Sequence, residues 1–190
     1  MKKVILFILL LFFSISVQAK VQYVSKTIEI YSSPTDTKLS GKVLTTTPLE
    51  VLKVEGDKAL VKITGWNQGE VKRMVYFSKG TRIISAVFSK KAQYQHKILE
   101  SDSIGETLWH KVELITWVEN KNLIDNIEPL FAEAKNLMET NCGLCHAVHP
   151  THEFSANQWP AVIKGMAPRT PMSKDQILLI SQYAQKHSKD

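Results

Sequence analysis

The chain has 190 residues, 44% of them hydrophobic and 22% charged, with a formal net charge of +6. This is ordinary globular composition, enough for one domain or two small ones. The positive excess is mild and forms no dense Lys/Arg block, which speaks against nucleic acid as a partner. The only two cysteines lie three positions apart, so no disulfide framework can staple the fold.

The N-terminus reads as an export signal. Lys2 and Lys3 form a basic n-region, Val4 to Val17 is an uncharged apolar run, and "VQA" ends at Ala19, the pattern of a cleaved signal peptide over residues 1–19. The run is short for a bilayer span, which needs roughly 20 apolar residues; an uncleaved N-terminal anchor is the alternative. The predicted location is periplasmic.

From residue 20 to 124 the pattern is β. "VQYVSKTIEIYSS" alternates, and "PLEVLKVEGDKALVKITGW" reads as two strands around a Gly-Asp turn. "KRMVYFSKG" and "RIISAVFSK" follow with a turn at Gly80, and "TLWHKVELITWV" alternates again after a polar bridge from Ser101 to Gly105. Short strands at this spacing favour a small barrel. The "WHKVEL-x-x-WV" run resembles the closing strands of bacterial SH3-like domains.

At Asp125 the period changes. Asp125 and Glu128 are spaced as an N-cap and capping box, and Ile127, Leu130, Phe131, Ala134, Leu137 and Met138 mark one helical face. If that helix continues, Cys142, Cys145 and His146 fall on one face as well. Four prolines between His149 and Pro171 predict mostly irregular chain, and Ser173 with Gln176 then caps a last helix. The expected fold class is segregated α+β: a small SH3-like barrel (20–124) and a small all-α module (125–190) resembling a class I cytochrome c. So small a helical module gains from a metal or a large cofactor.

"NCGLCHAVHP", residues 141–150, holds the chemistry. A thioredoxin-like dithiol needs its first thiol at a helix N-terminus in a βαβ context, which is missing here. A zinc site would have to pack Cys142, Cys145, His149 and His152 into eleven residues, whereas zinc ligand pairs are normally separated by a longer loop. The third reading, C-x-x-C-H, is the attachment signature of one covalent haem c. Cys142 and Cys145 would form the thioethers and His146 the proximal iron bond.

A sixth iron ligand has to come from His149, His152, Met166, Met172 or His187. His149 and His152 are too near His146 to cross the ring, and His187 suits a helix C-terminus. Met172 stands to Ile177 as N′ to N4 of a hydrophobic staple. Met166, in "WPAVIKGMAPRTP", has no such role and is favoured. Methionine–histidine ligation is the electron-transfer pattern; an open position would instead permit gas binding or peroxidase chemistry.

"GWNQGEVKRMVYFSKGTRIISAVFS", "LWHKVELITWV", "NCGLCHAVHPTHEFSANQWPAVIKGM" and "MSKDQILLISQYAQKH" together resemble the C-terminal region of one family. It is the membrane-anchored pentahaem cytochromes that feed periplasmic trimethylamine-N-oxide and dimethyl-sulfoxide reductases. The resemblance implies an electron carrier, not an enzyme. Its acceptor would be a molybdopterin-dependent reductase, and its donor a quinol-linked multihaem cytochrome or another protein. It also matches Cys142, Cys145 and His146 to the family's attachment and proximal positions, and adds weight to Met166. The departure is that this chain has one C-x-x-C-H where the family has five. The alternatives are flow from a periplasmic dehydrogenase into this chain, or a haem redox or gas sensor with an SH3-like binding part. Lys164, Arg169 and Lys174 flank the proposed crevice.

Overall fold

The structure is a computed structural model that describes residues 20–189; the predicted signal peptide lies outside the described residues. The strands are β1 (Lys20–Val24), β2 (Ile28–Tyr31), β3 (Gly41–Val43), β4 (Pro48–Glu55), β5 (Lys58–Gln68), β6 (Val71–Tyr76), β7 (Ile84–Phe88), β8 (Gln95–Ile104), β9 (Thr107–Glu119) and β10 (Leu123–Ile124). Three helices follow: α1 (Glu128–Cys142), α2 (Trp159–Met166) and α3 (Lys174–Lys186).

The strands form one antiparallel sheet in the order β10-β1-β4-β5-β6-β7-β3-β2-β9-β8, and β5 also pairs with β9. That extra ladder runs from Lys58↔Glu119 to Gln68↔Trp109. It closes β5, β6, β7, β3, β2 and β9 into a six-stranded barrel. Closure works because β9 alternates strictly: Val112, Leu114, Thr116 and Val118 are buried and the residues between them are not. Val61, Ile63, Val75, Ala86 and Phe88 meet these side chains in the barrel core. The predicted Gly-Asp turn is present, with Gly56 at φ +59°, a conformation glycine adopts without steric cost.

Three expectations need correction. Ser101 to Ile104 is not a polar bridge but the second half of β8, aligned residue by residue against β9. Its composition conceals this, because cross-strand pairing with the strongly patterned β9 sets the conformation. Asp125 does not cap α1. The helix begins at Glu128 with Ile127 in the N-cap position. The Asp125 carboxylate instead accepts hydrogen bonds from Lys20 Nζ (2.5 Å) and Gln22 Nε2 (2.8 Å) on β1. The proline-rich stretch is not mostly irregular, since Trp159–Met166 is helical with Pro160 in its first turn. The missing N–H of proline is harmless there. The Ser173–Gln176 capping box forms with both reciprocal hydrogen bonds.

The helices have their own core, in which Leu130, Met138, Trp159, Ile163, Leu179 and Ile180 are buried. α3 also docks this core onto the barrel through polar side chains. Gln182 Nε2 donates to Ile84 O (2.9 Å), Gln185 Nε2 donates to Arg82 O (3.4 Å), and Lys186 Nζ donates to Thr46 O (2.7 Å). Thr46 is fully buried and held at φ +65°, a costly conformation for a β-branched residue. Lys186 holds the Thr46 carbonyl, and the Thr46 hydroxyl donates to Gln182 Oε1 (3.3 Å). The Lys186 ammonium also lies 4.2 Å over the Phe77 ring.

Candidate functional site

α1 delivers the C-x-x-C-H segment. Its last turn is tied by Asn141 Nδ2 to Leu137 O (2.9 Å) and Thr140 Oγ1 to Asn136 O (2.8 Å). Cys142 is the final helical residue and half-buried; Cys145 and His146 follow in a turn and are exposed. Both cysteines are free thiols. The chain turns at Gly143, where a Cβ would stand 2.4 Å from Glu139 O, so a side chain at this position would collide with the end of α1.

The electrostatics argue against a reactive dithiol. Burial pushes the Cys142 thiol above its ordinary value, the opposite of the depression that activates a thiolate. Among the described residues no group of three or more His, Cys, Asp or Glu side chains is placed to hold a metal ion. The chain therefore does not gather Cys142, Cys145, His149 and His152 into the set a zinc site requires.

What the segment does border is a narrow apolar cleft of about 30 Å³. Cys142 and His146 line it from the α1 end, and Trp159, Ile163 and Met166 line it from α2. Met172, Ile177 and Ile180 complete it from α3 and the residue before its cap. Cys145 is beside the cleft in sequence but does not line it. His146 Nδ1 lies 2.7 Å from Ala147 O. That contact assigns the Nδ1 proton to the carbonyl and leaves Nε2 for a metal.

The residue set fits a haem: the Cys142 thiol on the cleft with that of Cys145 beside it, the imidazoles of His146 and His149, thioether sulfurs and an otherwise apolar lining. Met166 ends α2, and Met172 and Ile177, the pair expected as a staple, each pack against the helical core. Both line the same cleft. His187 caps the C-terminus of α3 with Nδ1 2.8 Å from Tyr183 O and its ring 4.8 Å from Phe131, away from the cleft. His152 sits in a separate shallow groove.

Sequence reasoning missed three contributors. Met138, one turn before Cys142, lines the cleft; its place on the Leu130–Ala134 face was the available signal. His149 lines it too, with Nδ1 2.9 Å from Glu153 Oε2. Trp159 donates its indole N–H to Thr151 O (2.8 Å) and packs edge-on against Phe154. It thereby fixes the loop between the motif and α2.

The family model described as "TorC third cytochrome c domain" matches residues 17–123. The chain belongs to that family. The matched residues cover the barrel and stop before the C-x-x-C-H segment. The cytochrome c-type protein TorC of Escherichia coli (strain K12) is 29% identical over 164 residues, which is 85% of this chain and 42% of that protein. The cytochrome c-type protein TorY of Haemophilus influenzae is 29% identical over 140 residues, 73% of this chain and 38% of that protein. TorY of Escherichia coli O157:H7 is 28% identical over 163 residues. The chain thus spans less than half the length of these TorC and TorY relatives. No solved structure matches significantly.

Proposed function

We propose that this chain is a periplasmic electron carrier that holds one haem c and passes electrons to a molybdopterin-dependent N-oxide or S-oxide reductase. The observation that carries this reading is the apolar cleft lined by Cys142, His146 and the methionines Met138, Met166 and Met172. The relationship to TorC and TorY, both named as c-type cytochromes, supports it. In this reading residues 1–19 are a cleaved signal, residues 20–124 an SH3-like domain, and residues 125–190 a class I-like cytochrome domain.

Haem c supplies a reversible one-electron iron couple. The chain's residues do the rest. Cys142 and Cys145 would hold the haem as thioethers. His146 would hold the iron through Nε2, with its ring steadied by the Nδ1 contact to Ala147 O. Met166 Sδ would be the second protein ligand to the iron, and Met172 would remain in the staple. Trp159, Ile163 and Ile180 keep water from the site; fewer waters to reorganise favour fast transfer in both directions. Lys164, Arg169 and Lys174 are exposed near this mouth and suit an acidic partner.

The test is turnover with the acceptor. Reduced protein mixed with a periplasmic trimethylamine-N-oxide reductase and its oxide substrate is re-oxidised at a catalytic rate. Absence of re-oxidation, with a haem-loaded protein, would refute the partner assignment.

A further inference from the structure

The connection between β6 and β7 is gripped from the helical side by two carboxamides. Asn157 Oδ1 accepts from the Arg82 N–H (2.6 Å), and Asn157 Nδ2 donates to Gly80 O (3.1 Å). A carboxamide carries an acceptor and donors side by side, so this one residue fixes both the position and the orientation of the turn. Gln185 Nε2, from α3, donates to Arg82 O (3.4 Å) and to Ala156 O (2.9 Å). The barrel turn, the loop before α2 and the end of α3 thus share one hydrogen-bonded knot.

Both sides of the knot are held locally. In the turn, the Phe77 N–H donates to Ile83 O (2.7 Å), and the hydroxyls of Ser78 and Thr81 lie 2.7 Å apart. In the loop, Ala156 is fully buried. The Ser155 N–H donates to Gln158 Oε1 (2.9 Å), and Ser155 O accepts from the N–H groups of Gln158 (3.0 Å) and Trp159 (3.2 Å). Asn157 itself is exposed, so its side chain fills no core and its two bonds to the barrel are what it contributes.

The knot sits at the root of α2, which starts two residues after Asn157 and ends at Met166. Trp159 and Ile163 seat the helix in its core, while Met166, half-buried, lines the cleft from the far end. At about 1.5 Å rise per residue, that end stands about 10 Å from the first turn. A tilt of about 5° at the root would therefore carry it by about 1 Å, more than the roughly 0.5 Å within which a metal site has to be held.

We propose that Asn157 is a positioning residue for Met166: by clamping the barrel turn at Gly80 and Arg82 it fixes the root of α2, and through α2 the place of the Met166 sulfur on the cleft. The proposal rests on the reading of Met166 as an iron ligand. It gives the barrel a part in setting the redox site, beyond carrying the helices.

The experiment is a pH titration of the far-red sulfur-to-iron band in the oxidised, haem-loaded full chain. Raising the pH lets hydroxide or a lysine amine displace the sulfur, so the midpoint at which the band disappears reads how firmly Met166 is held. Asn157→Ala lowers that midpoint by about one pH unit, a tenfold weaker hold. Asn157→Asp keeps the shape and the bond to the Arg82 N–H but sets an oxygen against Gly80 O, and its midpoint falls too. Ile63→Val, a comparable loss of stability inside the barrel core, leaves the midpoint where it was. Amide exchange in α2 of the haem-loaded chain rises in Asn157→Ala and gives a readout independent of the band. A wild type without the band overturns the Met166 reading and this proposal with it. A wild type with the band, but with unchanged midpoints in both Asn157 variants, overturns this proposal alone. So does an Ile63→Val midpoint that falls as far as that of Asn157→Ala, or α2 exchange that Asn157→Ala does not raise.

Discussion

Replacing Trp159 tests whether one side chain sustains the helical part. Trp159 is 1% exposed, and it shares a core with Leu130, Met138, Ile163, Leu179 and Ile180. Its N–H bond to Thr151 O also anchors the loop that leads from the C-x-x-C-H turn. Trp159→Ala empties most of that volume, and buried Trp-to-Ala changes cost about 3–5 kcal/mol. Trp159→Phe keeps a ring in place and removes the hydrogen bond, worth about 0.5–1.5 kcal/mol, with only part of the buried volume. A small domain has on the order of 5–15 kcal/mol in total, so the alanine variant loses a large share of it. The two free energies come from urea denaturation followed by far-ultraviolet circular dichroism. An alanine cost below about 1 kcal/mol would refute the assignment of Trp159 as the centre of this core. A phenylalanine cost equal to the alanine cost would show that the hydrogen bond, not the volume, does the holding.

The remaining predictions concern the turn and the docking of α3. Gly143→Ala forces a Cβ against Glu139 O and lowers haem content per chain, read by the pyridine haemochrome assay; full loading would show that the turn has slack. Burial holds the Lys186 ammonium down to about 7, against 10.5 in the unfolded chain. The unfolded state therefore binds more protons between those values, and stability rises with pH from about 7 to 10. Lys186→Met removes that rise, which thermal melts across the same pH range measure. A wild type with a flat profile there would contradict the buried position of the ammonium.

Much of the barrel was legible because its strands alternate. β5 and β9 announce themselves by β-branched residues at every second position, and one face of each meets in the core. β8 was half hidden, since "ESDSI" has no apolar period and is held by its neighbour. The Ser173 cap could be read because both partners of the box are local. Asp125 could not, because its true partners, Lys20 and Gln22, lie more than 100 positions away. The same distance hid the role of Gln182, Gln185 and Lys186, polar residues that look solvated on a helical wheel yet bind barrel carbonyls. At the site, spacing alone singled out Cys142 and His146, and both line the cleft. His149 was passed over because its use depends on the fold of the cleft, not on proximity in sequence.

The most direct measurement is the oxidised visible spectrum of the wild type, Met166→Ala and Met172→Ala. If this iron is a methionine-ligated electron carrier as proposed, the wild type shows a far-red sulfur-to-iron charge-transfer band. Met166→Ala loses it and its reduced form binds carbon monoxide, while Met172→Ala retains the band. A wild type without the band, or a band lost only in Met172→Ala, would contradict the assignment.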